Sequence, residues 1–189
     1  GEPLLIKAST YEEFFKALQE KNIPVNLSVQ TNGTLINKST LEILKKYDVH
    51  IGISLDGSDE TQNSNRLYHN GKNSFKEVMK TINLLNKENI RFGVIITISK
   101  SNIGREAELY NFIAKNQLNC SIRPAFPVKQ VENNKNIMTN DEYFNFFIRL
   151  FDIWYNDERF QVSIKQIAEF YDEFVKLFNN LKYRPSCTN

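Results

Sequence analysis

The stretch VHIGISLDG, Val49–Gly57, decides the fold of this chain. It is nearly continuously apolar as far as Leu55, its β-branched residues alternate, and helical patterns flank it on both sides. Such a run predicts a buried strand of a parallel sheet. Ser54 and Asp56 then stand at the carboxyl end of the strand, where parallel α/β proteins bind their ligands.

Three further stretches have the composition of strands, and helical patterns separate them. This alternation predicts an α/β fold with a parallel sheet and right-handed crossover helices. Four strands make an arc, which is either part of an open sheet or part of a barrel. The first strand would leave an exposed edge, so we expect the chain to self-associate. The further predicted strands are Val25–Thr31, Ile90–Ser99 and Asn119–Phe126.

Four helix starts show the capping-box spacing, in which Ser or Thr is followed three residues later by Glu. The hydroxyl residue is expected to cap the amino end of each helix. A long polar loop, Asp56–Asn73, precedes the third of these starts, and loops of this length in compact domains are often functional. The predicted caps are Ser9 or Thr10, Ser39, Ser74 and Thr139.

The composition changes after Pro127. A polar linker, Lys129–Asn136, leads to two helices rich in aromatic residues, and the second of them ends near Pro185. The aromatic side chains recur at helical spacing, which indicates core or interface positions rather than a cofactor site. We expect this pair of helices to dock on the α/β unit.

Composition argues against several classes of function. The 189 residues are 41% hydrophobic and 24% charged, as is usual for a globular protein. A net charge of +2 gives no basic surface for nucleic acid, and no apolar run is long enough to span a membrane. Two cysteines, Cys120 and Cys187, form no disulfide framework and indicate a reducing, cytoplasmic location. The chain begins at Gly1 rather than Met, so we expect sequence upstream of it.

Polar clusters follow the predicted strands and should meet at one edge of a parallel sheet. Their amides, hydroxyls and carboxylates suit a polar small molecule that carries ammonium, carboxylate and ribose hydroxyl groups. Asn32-Gly33 and Asp56-Gly57 are each also explained as simple turns. Arg66 is either a surface charge of the loop or a grip for a carboxylate. The clusters are Gly1-Glu2-Pro3, Gln30–Gly33, Ser54–Gly57 and Ser99–Asn102.

Other catalytic motifs are absent from the sequence. It has no HxxxH or HExxH metal motif, no glycine-rich phosphate loop, no GxSxG and no CxxC. We expect His50 to be a packed or edge residue of a strand, His69 to be solvated, and Cys120 to be a buried small apolar residue. Lys100 is the one candidate for an aldolase-like amine, which makes that function weakly supported.

Several motifs, in order and spacing, resemble those of radical S-adenosylmethionine (radical SAM) enzymes. The closest subgroup resembles the anaerobic sulfatase-maturating enzymes and related peptide-modifying proteins that carry a C-terminal SPASM-type extension. The resemblance covers roughly Gly1–Pro127. The motifs are GEPLL, QTNGTLI, GISLDG, an arginine followed by HNGKNSF, and VIITISKSN.

The resemblance implies a partial (β/α) barrel over residues 1–128 that binds S-adenosylmethionine and a [4Fe–4S] cluster. In the family, a GGEP segment meets the amino group of the cofactor's methionine, and Gly1, Glu2 and Pro3 match its last three residues. Ser54 and Arg66 match positions that contact the methionine or the ribose. The same comparison places Asn32 and the region of Asp56 along the cavity.

The sequence also departs from the family pattern. The CxxxCxxC motif that binds the catalytic cluster is absent and is expected upstream of Gly1, so this chain alone is predicted to be inactive. Gln62-Asn63 replace a common His-Asp pair. Ser186–Asn189 resembles the entry to a SPASM extension, which makes Cys187 a candidate ligand of an auxiliary cluster. Residues 129–189 would then be a helical linker leading into a truncated extension.

We therefore expect the parent protein to cleave S-adenosylmethionine reductively and to modify a peptide or protein with the resulting 5′-deoxyadenosyl radical. Formylglycine formation in a sulfatase and thioether formation in a small peptide are both open. Asn32, Arg123 and the linker would face the substrate, and flavodoxin or ferredoxin would supply electrons. The alternative is a non-catalytic α/β module that binds a peptide or partner through its edge and its aromatic helices.

Overall fold

The sheet of this protein is parallel, and its strands lie in the order β1-β2-β3-β4. A computed structural model describes residues 2–58, 66, 73–126, 136–158 and 162–178. The prediction of a parallel α/β fold is confirmed. The strands are β1 Ser28–Thr31, β2 His50–Ser54, β3 Phe92–Ile98 and β4 Cys120–Pro124; the helices are α1 Ala8–Glu20, α2 Lys38–Lys46, α3 Phe75–Lys87, α4 Glu106–Lys115, α5 Asn140–Tyr155 and α6 Lys165–Phe178, with short 3-10 turns at Pro3–Leu5 and Lys100–Asn102.

One face of the sheet is apolar and forms the core together with the helices. Ile53 and Ile96 of neighbouring strands are fully buried, as are Leu85 of α3 and Ile113 of α4. Successive residues of a strand point to opposite faces, so the alternate residues of each strand lie on the other side of the sheet. We call this other side the open face; it carries Ser28, Gln30, His50, Gly52, Ser54, Gly93, Ile95, Thr97, Ser121 and Arg123.

The two C-terminal helices dock on the α/β unit, as predicted. Ile164, just before α6, forms a parallel bridge with Cys120 of β4. The side chain of Gln166 then accepts a hydrogen bond from the backbone N–H of Ile122 at 3.0 Å and donates one to the hydroxyl of Ser121 at 2.9 Å. These contacts join the start of α6 to the free edge of β4. Most of the linker Lys129–Asn136, along with Cys187 and Pro185, lies outside the described residues.

Two of the predicted helix caps are wrong. Helix α1 begins at Ala8, after Lys7, so Ser9 and Thr10 lie inside its first turn. In α2 the cap is Asn37, whose side-chain oxygen accepts from the backbone N–H of Thr40 at 3.0 Å. The hydroxyl of Ser39 donates to that same oxygen at 2.7 Å instead of capping the helix. A side-chain amide one residue before the helix provides a better-placed acceptor than a hydroxyl within it.

The other two caps differ from each other. Ser74 stands at the cap position of α3, yet its hydroxyl donates to the backbone carbonyl of Arg66 at 2.8 Å and accepts no capping bond from the N–H groups of the helix. Thr139 forms the predicted capping box with Glu142: the two bonds measure 3.2 Å and 2.7 Å. The neighbouring backbone N–H and Lys100 hold the pKa of the Glu142 carboxyl below its usual value.

All four strands are shorter than predicted, because apolar composition extends beyond the paired residues. Val25 is half exposed and precedes β1, which begins only at Ser28. Ile90 similarly precedes β3, where pairing begins with Phe92 opposite Ile51. Within the described part of the chain, no helix combines the length and the apolar character that crossing a bilayer requires.

Candidate functional site

Glu2 joins the start of the chain to the carboxyl end of β1. One oxygen of its carboxylate accepts from the backbone N–H of Leu4 at 3.1 Å and from the hydroxyl of Thr31 at 2.6 Å. The other oxygen accepts from the backbone N–H of Asn32 at 2.8 Å. Three donors from two segments thus hold this carboxylate, as predicted for clusters that meet at one edge. Gly1 lies outside the described residues.

Pro3 begins the 3-10 turn that follows Glu2. Its carbonyl oxygen accepts a hydrogen bond from the hydroxyl of Tyr11 at 2.8 Å, which fixes the turn against α1. Burial, and then the nearby Glu2 carboxylate, raise the pKa of Tyr11 above its usual value. The backbone around Glu2 is thus anchored from both sides.

Asn32 and Gly33 form a tight turn directly after β1. The side-chain oxygen of Asn32 accepts from the backbone N–H of Thr34 at 2.9 Å, and Gly33 has a φ of +76°, which favours glycine. The carbonyl of Gly33 accepts from the hydroxyl of Thr81 in α3 at 2.6 Å. Asn32 is thus both a turn residue and a neighbour of the Glu2 carboxylate.

Ser54 ends β2 on the open face, where Gln30 of β1 contacts it. The side-chain amide of Gln30 donates to the hydroxyl of Ser54 at 3.0 Å. Gln30 pairs with Gly52, and Gly52 pairs with Gly93, so the three lie in one row across the sheet. A Cβ atom added to Gly52 would overlap the Gln30 amide, which therefore needs the bare glycine surface beneath it.

Asp56 is buried behind Arg66 and holds its guanidinium in place. Its carboxylate accepts from Nε of Arg66 at 2.8 Å and from the backbone N–H of Thr97 at 3.2 Å. The second arm of the guanidinium reaches the Thr97 hydroxyl at 3.4 Å. Only 4% of the Asp56 side chain is exposed, against 32% for Arg66. Arg66 is thus the member of this pair that faces outward.

The fourth cluster closes on itself. The side-chain oxygen of Asn102 accepts from the backbone N–H of Ser99 at 2.9 Å, and the hydroxyls of Ser99 and Ser101 lie 2.9 Å apart. Lys100, the aldolase candidate, forms an ion pair with Glu142 at 3.4 Å. The contacts of this cluster lie within its own turn, with α5 and with the backbone carbonyl of Asn136, whereas the first three clusters supply the polar groups of the site.

Thr97 and Gly52 contribute to this arrangement although neither lies in a predicted cluster, and Gln30 lies in the predicted cluster Gln30–Gly33 without a task of its own. A signal was present for Gln30, since it alternates with the buried residues Val29 and Thr31 and must point to the open face. A cavity of about 360 Å³ opens there. Its lining includes Gln30, Gly52, Gly93, Ser121 and Arg123.

The donor set suits an organic ligand better than a metal ion. Among the described residues, no three His, Cys, Asp or Glu side chains come together as metal ligands. Cys120 is buried, and burial raises the pKa of its thiol to about 12. Cys187 and His69 lie outside the described residues, and His50 is an exposed residue of the open face. A hydroxyl, a side-chain amide and an outward guanidinium are groups that a ligand with ribose and carboxylate would need.

Relatives of known class match this chain over its full length or over part of it. A cysteine-type anaerobic sulfatase-maturating enzyme of Clostridium novyi is 30% identical over 198 residues, which cover 100% of this chain and 52% of that protein. A serine-type enzyme of the same kind from Klebsiella aerogenes is 30% identical over 115 residues, covering 59% of this chain and 28% of that protein. The chain spans about half the length of the first of these relatives.

Solved structures match the fold. The structure of anSMEcpe with bound AdoMet and a bound peptide superposes with a TM-score of 0.82 at 24% identity, over 99% of this chain and 52% of that chain. Streptococcus suis SuiB bound to S-adenosylmethionine gives a TM-score of 0.59 at 18% identity, over 80% of this chain and 35% of that chain. The four parallel strands are therefore the arc of a partial (β/α) barrel.

A family model decides the classification. The model of the radical SAM superfamily matches residues 1–113, which is more than half of the chain. The matched segment contains β1 to β3 and all three polar clusters that meet at the sheet edge. Three of the motifs that resemble this family, GEPLL, QTNGTLI and GISLDG, contain residues that build the edge. The chain belongs to the radical SAM superfamily.

Proposed function

We propose that this chain is the cofactor-binding part of a radical SAM enzyme that modifies a peptide or protein. One observation carries the proposal: Asp56 and Thr97 hydrogen-bond Arg66 and hold it at the sheet edge, near Ser54. The chain in which they do so belongs to this superfamily. When bound, S-adenosylmethionine with a reduced [4Fe–4S] cluster supplies a 5′-deoxyadenosyl radical for hydrogen abstraction. The protein's own residues bind and orient these groups.

Each residue of the site has a proposed task. Arg66 binds the carboxylate of the cofactor's methionine, because its guanidinium is held by Asp56 and faces outward. Ser54 and Gln30 hydrogen-bond the ribose hydroxyls. Gly1, Glu2 and Pro3 form the backbone that receives the ammonium group, and the Glu2 carboxylate fixes this backbone through its three donors.

Asn32 and Arg123 are proposed to face the substrate, with Asn32 at the same edge as the cofactor. A peptide substrate is supported by the names of the relatives, which are sulfatase-maturating enzymes, and by the peptide bound in the anSMEcpe structure. Oxidation of a sulfatase Cys or Ser to formylglycine is the reaction we propose first. Flavodoxin or ferredoxin would be the reductant, and the enzyme would work in the cytoplasm.

The domain division at residues 128 and 129 is also a proposal. Residues 129–189 would lead from the barrel into a SPASM-type extension, and Cys187 would ligate an auxiliary cluster there. The cysteines of the catalytic cluster would lie in the part of the parent protein upstream of Gly1. On this proposal the 189-residue chain alone releases no 5′-deoxyadenosine.

The experiment that tests the proposal uses the full-length parent protein, reconstituted anaerobically with iron, sulfide and a reductant. We expect release of 5′-deoxyadenosine that falls at least tenfold in Ser54→Ala and in Arg66→Ala. Lys16→Ala, which removes a charge from the outer surface of α1, serves as the control and should release the normal amount.

Two results would contradict the proposal. One is a parent protein with a fully loaded cluster that neither binds S-adenosylmethionine nor releases 5′-deoxyadenosine. The other is a parent sequence that lacks CxxxCxxC. Either result would favour the alternative, a non-catalytic module that binds a peptide through the sheet edge.

A further inference from the structure

The open face carries an excess of positive charge. The described residues that line its cavity include Arg123 and Lys165 but no aspartate or glutamate. The two carboxylates nearest the strand ends are already engaged: Glu2 by the turn after β1 and Asp56 by Arg66. Two cationic side chains therefore line the cavity, and no carboxylate in its described lining neutralises their charge. This favours an anionic ligand.

The two cations differ in what they contact. Lys165 lies 3.7 Å from Glu169, one turn further along α6, so part of its charge is compensated. Arg123 is exposed and has no carboxylate within ion-pairing distance among the described residues. An arginine at the wall of a cavity presents several N–H donors in a fixed plane, which suits bidentate binding of a carboxylate. Arg123 is therefore the cation that can accept a new partner.

Arg123 also lies beside the proposed cofactor site. In the sheet register it pairs with Thr97, the residue whose backbone N–H and hydroxyl contact Asp56 and Arg66. On its other side, the hydroxyl of Tyr143 donates to the carbonyl of Ile122 at 3.2 Å. The charge of Arg123 opposes the rise that burial causes in the pKa of Tyr143, which places the guanidinium close to this phenol.

The floor of the cavity leaves room for a backbone. Gly52 and Gly93 lie side by side, and a Cβ atom on Gly93 would meet only Nε2 of His50, at 3.8 Å. The side chains of Gln30, His50 and Ser121 surround these glycines with hydrogen-bonding groups. The Gln30 amide covers Gly52, so an extended peptide can lie against Gly93 and exchange hydrogen bonds with the surrounding groups.

We propose that the open face binds a substrate peptide through an aspartate or glutamate side chain, and that Arg123 determines this specificity. The inference rests on the proposed function, because that function makes the ligand a peptide. It adds the chemical class of the substrate: a peptide with an acidic residue close to the residue that is modified.

The test compares two fluorescein-labelled dodecapeptides on the full-length, S-adenosylmethionine-loaded protein. Both have a central Cys, flanked by Glu in one and by Gln in the other. Fluorescence anisotropy should show the Glu peptide binding about tenfold more tightly, because it gains a charge-assisted hydrogen bond. The preference should disappear in Arg123→Gln and persist in Lys16→Gln, which removes the same charge from the remote surface of α1.

Three outcomes would overturn this inference. They are equal affinities of the two peptides for the wild-type protein, a preference that survives in Arg123→Gln, and displacement of the Glu peptide by free glutamate at comparable concentration. The last would identify a small carboxylate ligand rather than a peptide. Binding of S-adenosylmethionine is titrated in the same preparations, so that failure of the cofactor site is distinguished from failure of peptide selection.

Discussion

At the scale of single residues, the carboxylates of the candidate site are hydrogen-bonded by other groups of the protein. Asp56 is almost completely buried, and its two oxygens are occupied by Arg66 and by the backbone of Thr97. Glu2 is engaged in the same way by the turn after β1. The carboxylates therefore act as positioning groups, and Arg66 and Ser54 are the residues that we propose to contact the ligand.

This arrangement predicts the effect of Asp56→Asn. The amide keeps an acceptor for the Thr97 N–H, but it cannot form the charged hydrogen bond with Arg66, so the guanidinium loses its fixed direction. We expect the affinity of the full-length protein for S-adenosylmethionine to fall roughly tenfold or more, since a hydrogen bond to a charged group contributes about 1.5–3 kcal/mol. Isothermal titration calorimetry measures the change.

Glu108→Gln is the matched control for this variant. Glu108 also pairs with an arginine, Arg105, at 2.8 Å, but the Glu108 side chain is 46% exposed, against 4% for Asp56. Surface pairs of this kind contribute little, so affinity should stay within twofold of the wild type. Equal losses in the two variants would show that Asp56 has no special role in positioning Arg66.

The two glycines of the open face predict different responses to alanine. Gly52→Ala forces the Gln30 side chain away and breaks its hydrogen bond to Ser54, so affinity for S-adenosylmethionine should fall while the fold remains. Gly93→Ala meets no close atom and should be as stable as the wild type or more stable, because alanine loses less entropy in a strand. Thermal unfolding and cofactor titration of both variants check this difference.

At the scale of elements, helix α2 shows which residue begins a helix. Asn37→Ala removes the side-chain acceptor of the Thr40 N–H and should lower the free energy of unfolding by about 1 kcal/mol. Ser39→Ala removes a hydroxyl that only contacts Asn37, and its cost should be below about 0.5 kcal/mol. Urea unfolding of both variants measures the difference, and a larger loss in Ser39→Ala would contradict the assignment of Asn37 as the cap.

Most of the fold could be predicted from periodicity, because residues buried on one face of a helix or strand recur in the sequence at regular spacing. Ile51 and Ile53 of β2, with the helical patterns on either side, were enough to predict a parallel sheet. The ends of the elements could not be predicted as well. Val25 has the composition of a strand residue, yet it has no strand partner, and only the neighbouring strand determines where pairing begins.

The meeting of polar clusters at the sheet edge could be predicted, but their hydrogen bonds could not. Ser54, Asp56 and Asn32 follow strands, and parallel pairing brings such residues to one edge. The partners of Asp56 and Glu2 depend on the register of separate strands, which no short stretch of sequence specifies. Gln30 resembles a surface residue until its partner across the sheet is known to be Gly52.

At the scale of the whole molecule, one thiol reports on the integrity of the core. Cys120 lies in β4 between Val94 and Ile164, and burial raises its pKa to about 12 from 9.0. In a Cys187→Ser variant of the 189-residue chain, where Cys120 is the one remaining cysteine, we expect iodoacetamide at pH 8 to react only when the core opens. Mass spectrometry with and without urea measures the labelling, and rapid labelling of the native protein would contradict this burial.

The same thiol makes stability depend on pH. Its pKa is higher in the folded than in the unfolded protein, so the contribution is complete below about pH 9 and is lost as the pH rises from 9 towards 12. Above pH 9 the urea midpoint should therefore fall more steeply with the thiol than in Cys120→Ala. Parallel pH curves for the two proteins would exclude this contribution.

The agreement between strand order and chain order has a consequence for synthesis on the ribosome. Because each strand pairs with the one made just before it, a nascent chain that has released β2 and its following helix already contains the partner that β3 needs. Each new strand is then separated from its partner by a single crossover connection. The contacts that it forms are close in sequence, and such contacts form quickly. The sheet can grow strand by strand as it emerges, without holding an early segment unpaired until the last one arrives.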